Sequence, residues 1–572
     1  MSGAEGNTEA LNRPDAEVPP GSDGSRACTH GGSPGTWEIL PPPLQHPVRD
    51  VWVNKTPALS GGVRPGRERT QDAGGTGERG NERAGMGGRK SERPVVPMMR
   101  GNPPQETPNE GRGRRDMGSL EGTMNGTPRP DDISPGIQRV AELARTAPGL
   151  AFTTLAHHID LEHLKEAYKR TRKDAAVGVD GQTAAEYGRD LEANLRTLEG
   201  RFKTGEYKAP PVRRVHIPKG DGRSTRPIGV PTLEDKVLQR AVVMVLEPIF
   251  EQDFLPCSYG FRPHRSAHQA LDALWTGLMK MHGGWVLEVD IKSFFDTLDH
   301  GHLRSFLDRR VRDGVIRRMI DKWLKAGVME EGSLSYPEAG TPQGGVISPL
   351  LANIYLHEVL DTWFEQQVKP HLRGEAFLIR YADDFVIAFA LEHDAQRVFE
   401  ALPKRFAKYG LSLHPEKTRL VPFGRPPGKP TDQRPPDGSE PGAFDLLGFT
   451  HYWKVSRKGS WVIARKTAKS RLARAVKKIT QWCKTYRHLP VRDQQKALAR
   501  KLTGHFAYYG ITGNGWSLRQ FRHQAVRAWC TWLRRRSQKA HLSWERFNRL
   551  LQRYPLPPVR VVHSVYRHAA SP

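Results

Sequence analysis

At 572 residues the chain is too long for one hydrophobic core, and a hydrophobic share of 37% beside 56 Gly and 45 Pro points to two to four domains plus a sizeable unfolded part. No apolar run approaches a membrane span, the best stretch being Ala241 to Leu246, and the start MSGAEGNTEA has neither the basic nor the apolar segment of a secretory signal. The net charge of +26 resides in one place: Thr450 to Pro572 carry 28 Lys and Arg against Asp493 and Glu545 alone, while the rest of the chain balances. Such a stretch repels itself unless a polyanion lies against it, and the aromatics interleaved with its basic residues favour nucleic acid over a membrane surface. Cys28, Cys257, Cys483 and Cys530 stand singly, which argues against a disulfide framework and against a cysteine-based zinc site.

Residues 1 to about 135 contain no Phe or Tyr and only Trp37 and Trp52. Their dense Gly, Pro, Arg and Glu, as in GGTGERGNERAGMGGRK, cannot offset the entropy of ordering, so a disordered tail is expected. Helical spacing begins near Ile137 and continues through DLEHLKEAYKRTRK and LEANLRTLEGRFKTG. PVRRVHIPK reads as a strand, and TLEDKVLQRAVVMVLEPIFE as a long helix capped by Thr232. WVLEVDI is a short buried strand, and FLIRYADDFVIAFA reads as two strands joined at a tight acidic turn. Arg425 to Pro441 is a Pro-rich exposed loop, helical patterns dominate after Lys466, and no internal repeat interrupts this order.

The carboxylates carry the chemistry. Asp290 ends an apolar strand, and Asp383 and Asp384 sit between two apolar strands. An ionised carboxylate near the end of a buried strand needs a cation, and these two places can converge across one sheet. Oxygen ligands suit Mg²⁺ better than zinc. An Asp-Asp pair in a hairpin is more often a solvated turn, but the strongly apolar flanks and the presence of Asp290 reverse those odds.

The string Tyr381-Ala382-Asp383-Asp384 resembles the signature of reverse transcriptases. The blocks RPIGVPTLEDKVLQRAVVMVLEPIFE, SYGFRPHRSAHQAL, VDIKSFFDTLDH, GTPQGGVISPLLANIYLH, GLSLHPEKTRL and FDLLGFTHYW resemble, in order, those of reverse transcriptases encoded by group II introns. GHFAYYGITGN and WERFNRLLQRYPLPPVRVVH resemble the maturase region of the same family. The resemblance implies an α+β right-hand polymerase. It comprises a disordered tail over 1–135, a reverse transcriptase domain over 136–449 and a basic helical thumb and maturase region over 450–572. Fingers would extend to about 255, followed by a palm built on an antiparallel sheet.

The same resemblance assigns roles to residues. Asp290 and Asp383 would ligate two Mg²⁺ ions, with Mn²⁺ as a substitute, the Ile291 carbonyl as a further contact and Asp384 in support. Phe295 would stand against the sugar of the incoming nucleotide, where a ring excludes a 2′-hydroxyl; a core Phe beside Phe294 is the plainer reading. Lys219 and Arg226 would meet the triphosphate, Gln343 would line a glycine-rich turn near the substrate, and Lys417 would be a second triphosphate contact or an acid. Arg262 and Arg265 could hold template or nucleotide, whereas His264 and His268 are expected to be structural. Arg534, Arg535 and Arg536, on an expected exposed helical face, would bind RNA; mere solvation of that helix is about as plausible. Implied partners are group II intron RNA, an RNA template with a DNA primer, deoxynucleoside triphosphates and target DNA, in the bacterial cytoplasm and without a membrane.

Neither a His/Cys endonuclease nor a ribonuclease H domain is expected, because the basic stretch has no CxxC pair after Trp544 and too few carboxylates. Reverse transcriptases of other elements lack so long a maturase-like stretch. A splicing factor with a decayed polymerase fits poorly with intact Asp290, Asp383 and Asp384, and an RNA-dependent RNA polymerase fits poorly with Phe295.

Overall fold

The computed structural model describes residues 134–218, 225–330, 333–336, 339–341, 344–427, 442–537 and 542–564. The expected disordered tail up to residue 133, most of the Pro-rich loop, Lys219 and Gln343 lie outside the described residues.

Helices α1 (Pro135–Thr146), α2 (Leu161–Arg170), α3 (Ala184–Tyr187) and α4 (Leu191–Thr204) precede the hairpin of β1 (Val212–Pro218) and β2 (Thr225–Val230). Their apolar spacing is what the sequence shows: Ile137, Val140 and Ala144 on α1, and Leu195, Leu198 and Phe202 on α4, all face inward. They pack around α5 (Leu233–Phe250), which opens at Thr232, whose hydroxyl accepts the Asp235 N–H. That helix is buried on nearly every side, which explains the long apolar run Ala241–Leu246, and its buried polar residues Asp235 and Gln239 are hydrogen-bonded.

Next come α6 (Ala267–Lys280), β3 (Trp285–Val289), α7 (Phe294–Thr297), α8 (His300–Asp308), α9 (Gly314–Leu324), β4 (Val328–Glu330) and β5 (Ser333–Ser335). β4 joins β1 in parallel, giving a sheet of order β2-β1-β4-β5. α10 (Ser348–Leu356) runs on into π-helical turns at His357–Asp361 and Trp363–Val368. β6 (Ala376–Tyr381), β7 (Asp384–Phe389), α11 (Glu392–Lys408) and β8 (Arg419–Pro422) complete the central sheet, which is antiparallel throughout in the order β6-β7-β3-β8.

Strand alternation distributes this sheet between two cores. Leu287, Val289, Phe385, Ile387 and Phe389 enter the larger core with α5, α10 and α11. Val286, Ile379, Val386 and Ala388 enter a second core, shared with α6 and with β9 (Phe444–Leu446), β10 (Phe449–Val455) and β11 (Trp461–Thr467). Burial on both faces is why these strands read as continuous apolar runs.

α12 (Lys469–Thr485), α13 (Val491–Tyr509), α14 (Gly515–Arg534) and α15 (Trp544–Arg553) form a bundle with its own core around Leu498, Leu502, Phe521 and Trp529. Asn514 accepting the Thr467 N–H joins the bundle to β11, and His268 bonded to the Tyr508 carbonyl joins it to α6, while Arg465 bonded to Asp272 ties β11 to α6. His268 is thus structural, as expected. No described helix is long and apolar enough to cross a membrane. Cys257, Cys483 and Cys530 are free and buried.

Asp313 fastens the first helices to this frame. One carboxylate oxygen accepts Leu155 N at 2.6 Å and Ala156 N at 2.9 Å; the other accepts Val315 N and Ile316 N at 2.9 Å each, capping α9. Burial pushes this carboxyl up, but the four donors outweigh it and hold its pKa below the usual range. Its stabilisation is therefore present above the ordinary aspartate pKa and is lost as pH falls through the lower, folded-state value. Asp313→Ala leaves buried N–H groups unpaired and should cost about 3 kcal/mol, read as a fall in thermal midpoint that shrinks on acidification.

Candidate active site

The two strands β6 and β7 meet in a two-residue turn, with Tyr381 paired to Asp384 and Ala382 and Asp383 between them. Ala382 adopts φ +58°, a left-handed conformation that costs a residue with a Cβ roughly 1–2 kcal/mol. Gly260 lies hard against this turn: a Cβ there would stand 2.3 Å from Ala382 N, so the SYG run of Ser258–Gly260 has to end in glycine.

β3 brings the third carboxylate. Val289 pairs with Phe385, so Asp290, one residue beyond, leaves the sheet at the same end as Asp384. The backbone continues through a bridge between Ile291 and Leu413, and Asp290 O accepts His414 N at 2.8 Å. Lys417 follows in that segment, and its Nζ stands 2.6 Å from Asp290 Oδ2. The expected substrate-binding lysine is thus paired with the expected metal ligand.

Asp383 and Asp384 keep some open surface, yet protein packs densely around them. Burial raises the Asp383 carboxyl and nearby Asp290 adds to the rise, while Arg226 and Arg380 oppose it. Burial likewise raises Asp384, as do Asp383 and Asp290, against Arg471 and Arg226. Asp290, Asp383 and Asp384 thus lie within electrostatic reach of one another and of Arg226.

Around this edge, α7 faces Gly340 and Thr341. Thr341 N donates to Phe295 O at 2.7 Å, and a Cβ on Gly340 would meet that same carbonyl. The Phe295 ring is partly buried and meets Phe294 edge-on, with centroids 5.3 Å apart. Gly344, at φ +121°, leaves no room for a Cβ beside Gly229 O, three residues from Arg226. Gln239 holds the following residues: its Oε1 accepts Val346 N at 2.7 Å, and its Nε2 donates to Asp235 at 2.8 Å. Asp235 also accepts Tyr207 and Trp323, and burial pushes its carboxyl up to about 6. α5 is therefore the post on which the glycine-rich turn hangs.

Two other expectations fare differently. Arg262 is buried, with its guanidinium on Glu251 and on the carbonyls of Leu255 and Ser258, so it is committed within the protein and is not poised for template or nucleotide. Arg265 lies over the Tyr259 ring. Arg534, Arg535 and Arg536 are not on a helical face but at a helix end: Arg534 closes α14 and donates to Leu542 O, Arg535 lies over Trp532, and Arg536 donates to His488 O. The α14 terminus leaves carbonyls open, and a run of arginines is suited to that place.

Sequence reading missed Arg380, Asp361 and Arg471. Arg380 was visible as a lone charge inside FLIRY; Arg471 gave no local signal.

Among the described residues no group of three or more His, Cys, Asp or Glu side chains is disposed to hold a metal ion. The donor set nevertheless fits a hard divalent cation: three carboxylates share one edge, two of them raised by burial and by mutual repulsion. Asp290 would have to exchange Lys417 for the ion.

Comparison with known proteins places this geometry. Residues 217–451 match the family described as reverse transcriptase (RNA-dependent DNA polymerase). Protein YkfC of Escherichia coli K12 is 37% identical over 328 residues, covering 50% of this chain and 84% of YkfC. Group II intron-encoded protein LtrA of Lactococcus lactis subsp. cremoris is 42% identical over 170 residues, 29% of this chain and 28% of LtrA. The putative COX1/OXI3 intron 1 protein of Saccharomyces cerevisiae is 32% identical over 219 residues, 38% of this chain and 26% of that protein. The chain thus spans most of YkfC but under a third of the two intron proteins.

Raised carboxylates stabilise the fold at low pH and cease to do so as pH rises through their folded values. The ion-free protein should therefore lose stability from the usual aspartate range toward neutrality. Mg²⁺ at a hundredfold excess over its Kd should return about 2.7 kcal/mol, measured as a higher thermal midpoint at pH 8. Asp383→Asn should abolish most of that rise.

Proposed function

The chain belongs to the group II intron reverse transcriptases and maturases, which are RNA-directed DNA polymerases, and on that premise we propose that it copies intron RNA into DNA by two-metal nucleotidyl transfer and binds the same RNA to assist splicing and mobility. The observation that carries this reading is the meeting of Asp290, Asp383 and Asp384 at one edge of an antiparallel sheet, within electrostatic reach of Arg226.

In this reading the central sheet is the palm, α1–α5 with the sheet of β1, β2, β4 and β5 are the fingers, and the bundle of α12–α15 is the thumb and maturase region. Asp290, Asp383 and the Ile291 carbonyl would hold two Mg²⁺ ions, with Asp384 in support. Bound there, such ions supply activation of the primer 3′-hydroxyl and neutralisation of the leaving pyrophosphate. Arg226 and Lys219 steer the incoming triphosphate onto this edge. Lys417 guards Asp290 until substrate arrives, then turns to phosphate, so the charge of the site is balanced in both states. Phe295 fills the space a 2′-hydroxyl would need and so selects deoxynucleotides. Gln343 is assigned contact with the substrate by the resemblance alone.

The excess of basic residues after Thr450 supplies phosphate contacts to intron RNA, with specificity coming from RNA shape and a few base contacts. Arg534 and Arg536 contribute less to this surface than residues on open helix faces, since each already donates to a loop carbonyl, at Leu542 and His488.

Primer extension on a poly(rA)/oligo(dT) substrate tests the assignment. The unaltered protein should extend the primer, and Asp383→Asn should reduce extension at least a hundredfold while RNA binding persists; substantial synthesis by the variant would sink the reading. Phe295→Ala should admit ribonucleotides at least tenfold better, with a smaller loss of deoxynucleotide incorporation. Unchanged discrimination would make Phe295 a core residue.

A further inference from the structure

An arginine inside a strand buried on both faces is costly unless every donor is used. Arg380 on β6 is fully buried, and so is its partner Asp361. Nε donates to Asp361 Oδ1 at 2.7 Å and one terminal nitrogen to Oδ2 at 2.5 Å, a bidentate fork. The other terminal nitrogen is divided between Asn353 Oδ1 at 3.0 Å and the carbonyl of Ala382 at 3.1 Å. Asn353 in turn donates to Gly260 O at 2.7 Å. The backbone of Arg380 is pinned as well, donating to Cys257 O and accepting Tyr259 N, both at 2.8 Å.

These bonds converge on one small object, the turn that carries Asp383 and Asp384. Ala382 sits there in a left-handed conformation with Gly260 pressed against its nitrogen. Arg380 donates to its carbonyl, and Asn353 ties Gly260 to the same guanidinium. Asp361 is delivered by a π-helical turn after α10, the kind of local irregularity that recurs at functional sites. Because Asp361 cancels the charge of Arg380, the clamp adds little net positive charge beside carboxylates that must attract cations.

Stability alone is a weak reason for such a pair. Well-packed apolar residues of similar volume commonly replace a buried ion pair without loss. What they cannot do is hold a carbonyl oxygen in place.

We propose that Arg380, braced by Asp361 and Asn353, is a positioning residue for catalysis: it fixes the Ala382 carbonyl and thereby aims the Asp383 and Asp384 carboxylates at the metal site. This rests on the polymerase reading above.

The double variant Arg380→Met/Asp361→Leu separates positioning from packing. Its thermal midpoint should stay near that of the unaltered protein, while kcat for primer extension falls at least tenfold, KM for the deoxynucleotide changes less than twofold, and Mn²⁺ binding followed by electron paramagnetic resonance weakens at least fivefold. A folded double variant with unaltered kcat and Mn²⁺ affinity would overturn the proposal. Should that variant not fold, Arg380→Lys decides: it keeps the charge opposite Asp361 but loses the arm to Ala382, so kcat and Mn²⁺ affinity should fall in the folded protein, and normal values of both would refute the role. Mn²⁺ affinity is read without substrate. An unaltered protein that makes no DNA would therefore defeat the polymerase reading while leaving the positioning claim to be judged on metal binding.

Discussion

Negative charge at the end of a doubly buried sheet is the constraint around which this molecule is arranged. Asp290, Asp383 and Asp384 lie at the ends of strands most of whose residues are apolar and enter two cores. Burial and nearby negative charge raise Asp383 and Asp384, and the protein answers with cations from separate parts of the chain: Arg226 from β2, Arg380 within β6 and Arg471 from α12, while Lys417 pairs with Asp290. These cations differ in kind. Arg380 is spent on a carboxylate partner and on backbone, so it shapes the site, whereas Lys417 holds its carboxylate in an exchangeable pair near solvent.

Rigidity around the carboxylates has a common origin in the packing of α5 and α10. α5 is enclosed by the first helices and presents Asp235 and Gln239, which fix the turn after Gly344. α10 presents Asn353, and the turns after it present Asp361, which fix the turn between β6 and β7. Both loops that border the site are therefore held by buried polar side chains whose hydrogen bonds are used, the arrangement that confers a single geometry in a low-dielectric interior.

The carboxyl-terminal bundle solves a different problem. Its helices carry nearly unopposed positive charge, so stability has to come from its own apolar centre around Trp529 and from polar ties to β11 and α6. Arginines that look available in the sequence are partly consumed in this work, as at the end of α14.

The sequence by itself determined the elements and the chemistry of the edge. Continuous apolar runs for strands buried on both faces, Thr232 before a long apolar helix, and an acidic turn flanked by apolar strands are local signals, because each arises from neighbours in the chain. The very short strands β4 and β5 escaped notice, since three residues are too few to show a period. Tertiary structure alone decided which charges meet. Arg380 and Asp361 are 19 residues apart, Lys417 and Asp290 127, and Arg262, a candidate for template or nucleotide, turned inward to Glu251. A charged residue looks the same in sequence whether it faces solvent, substrate or a buried partner, and only the fold fixes which of these lies opposite it.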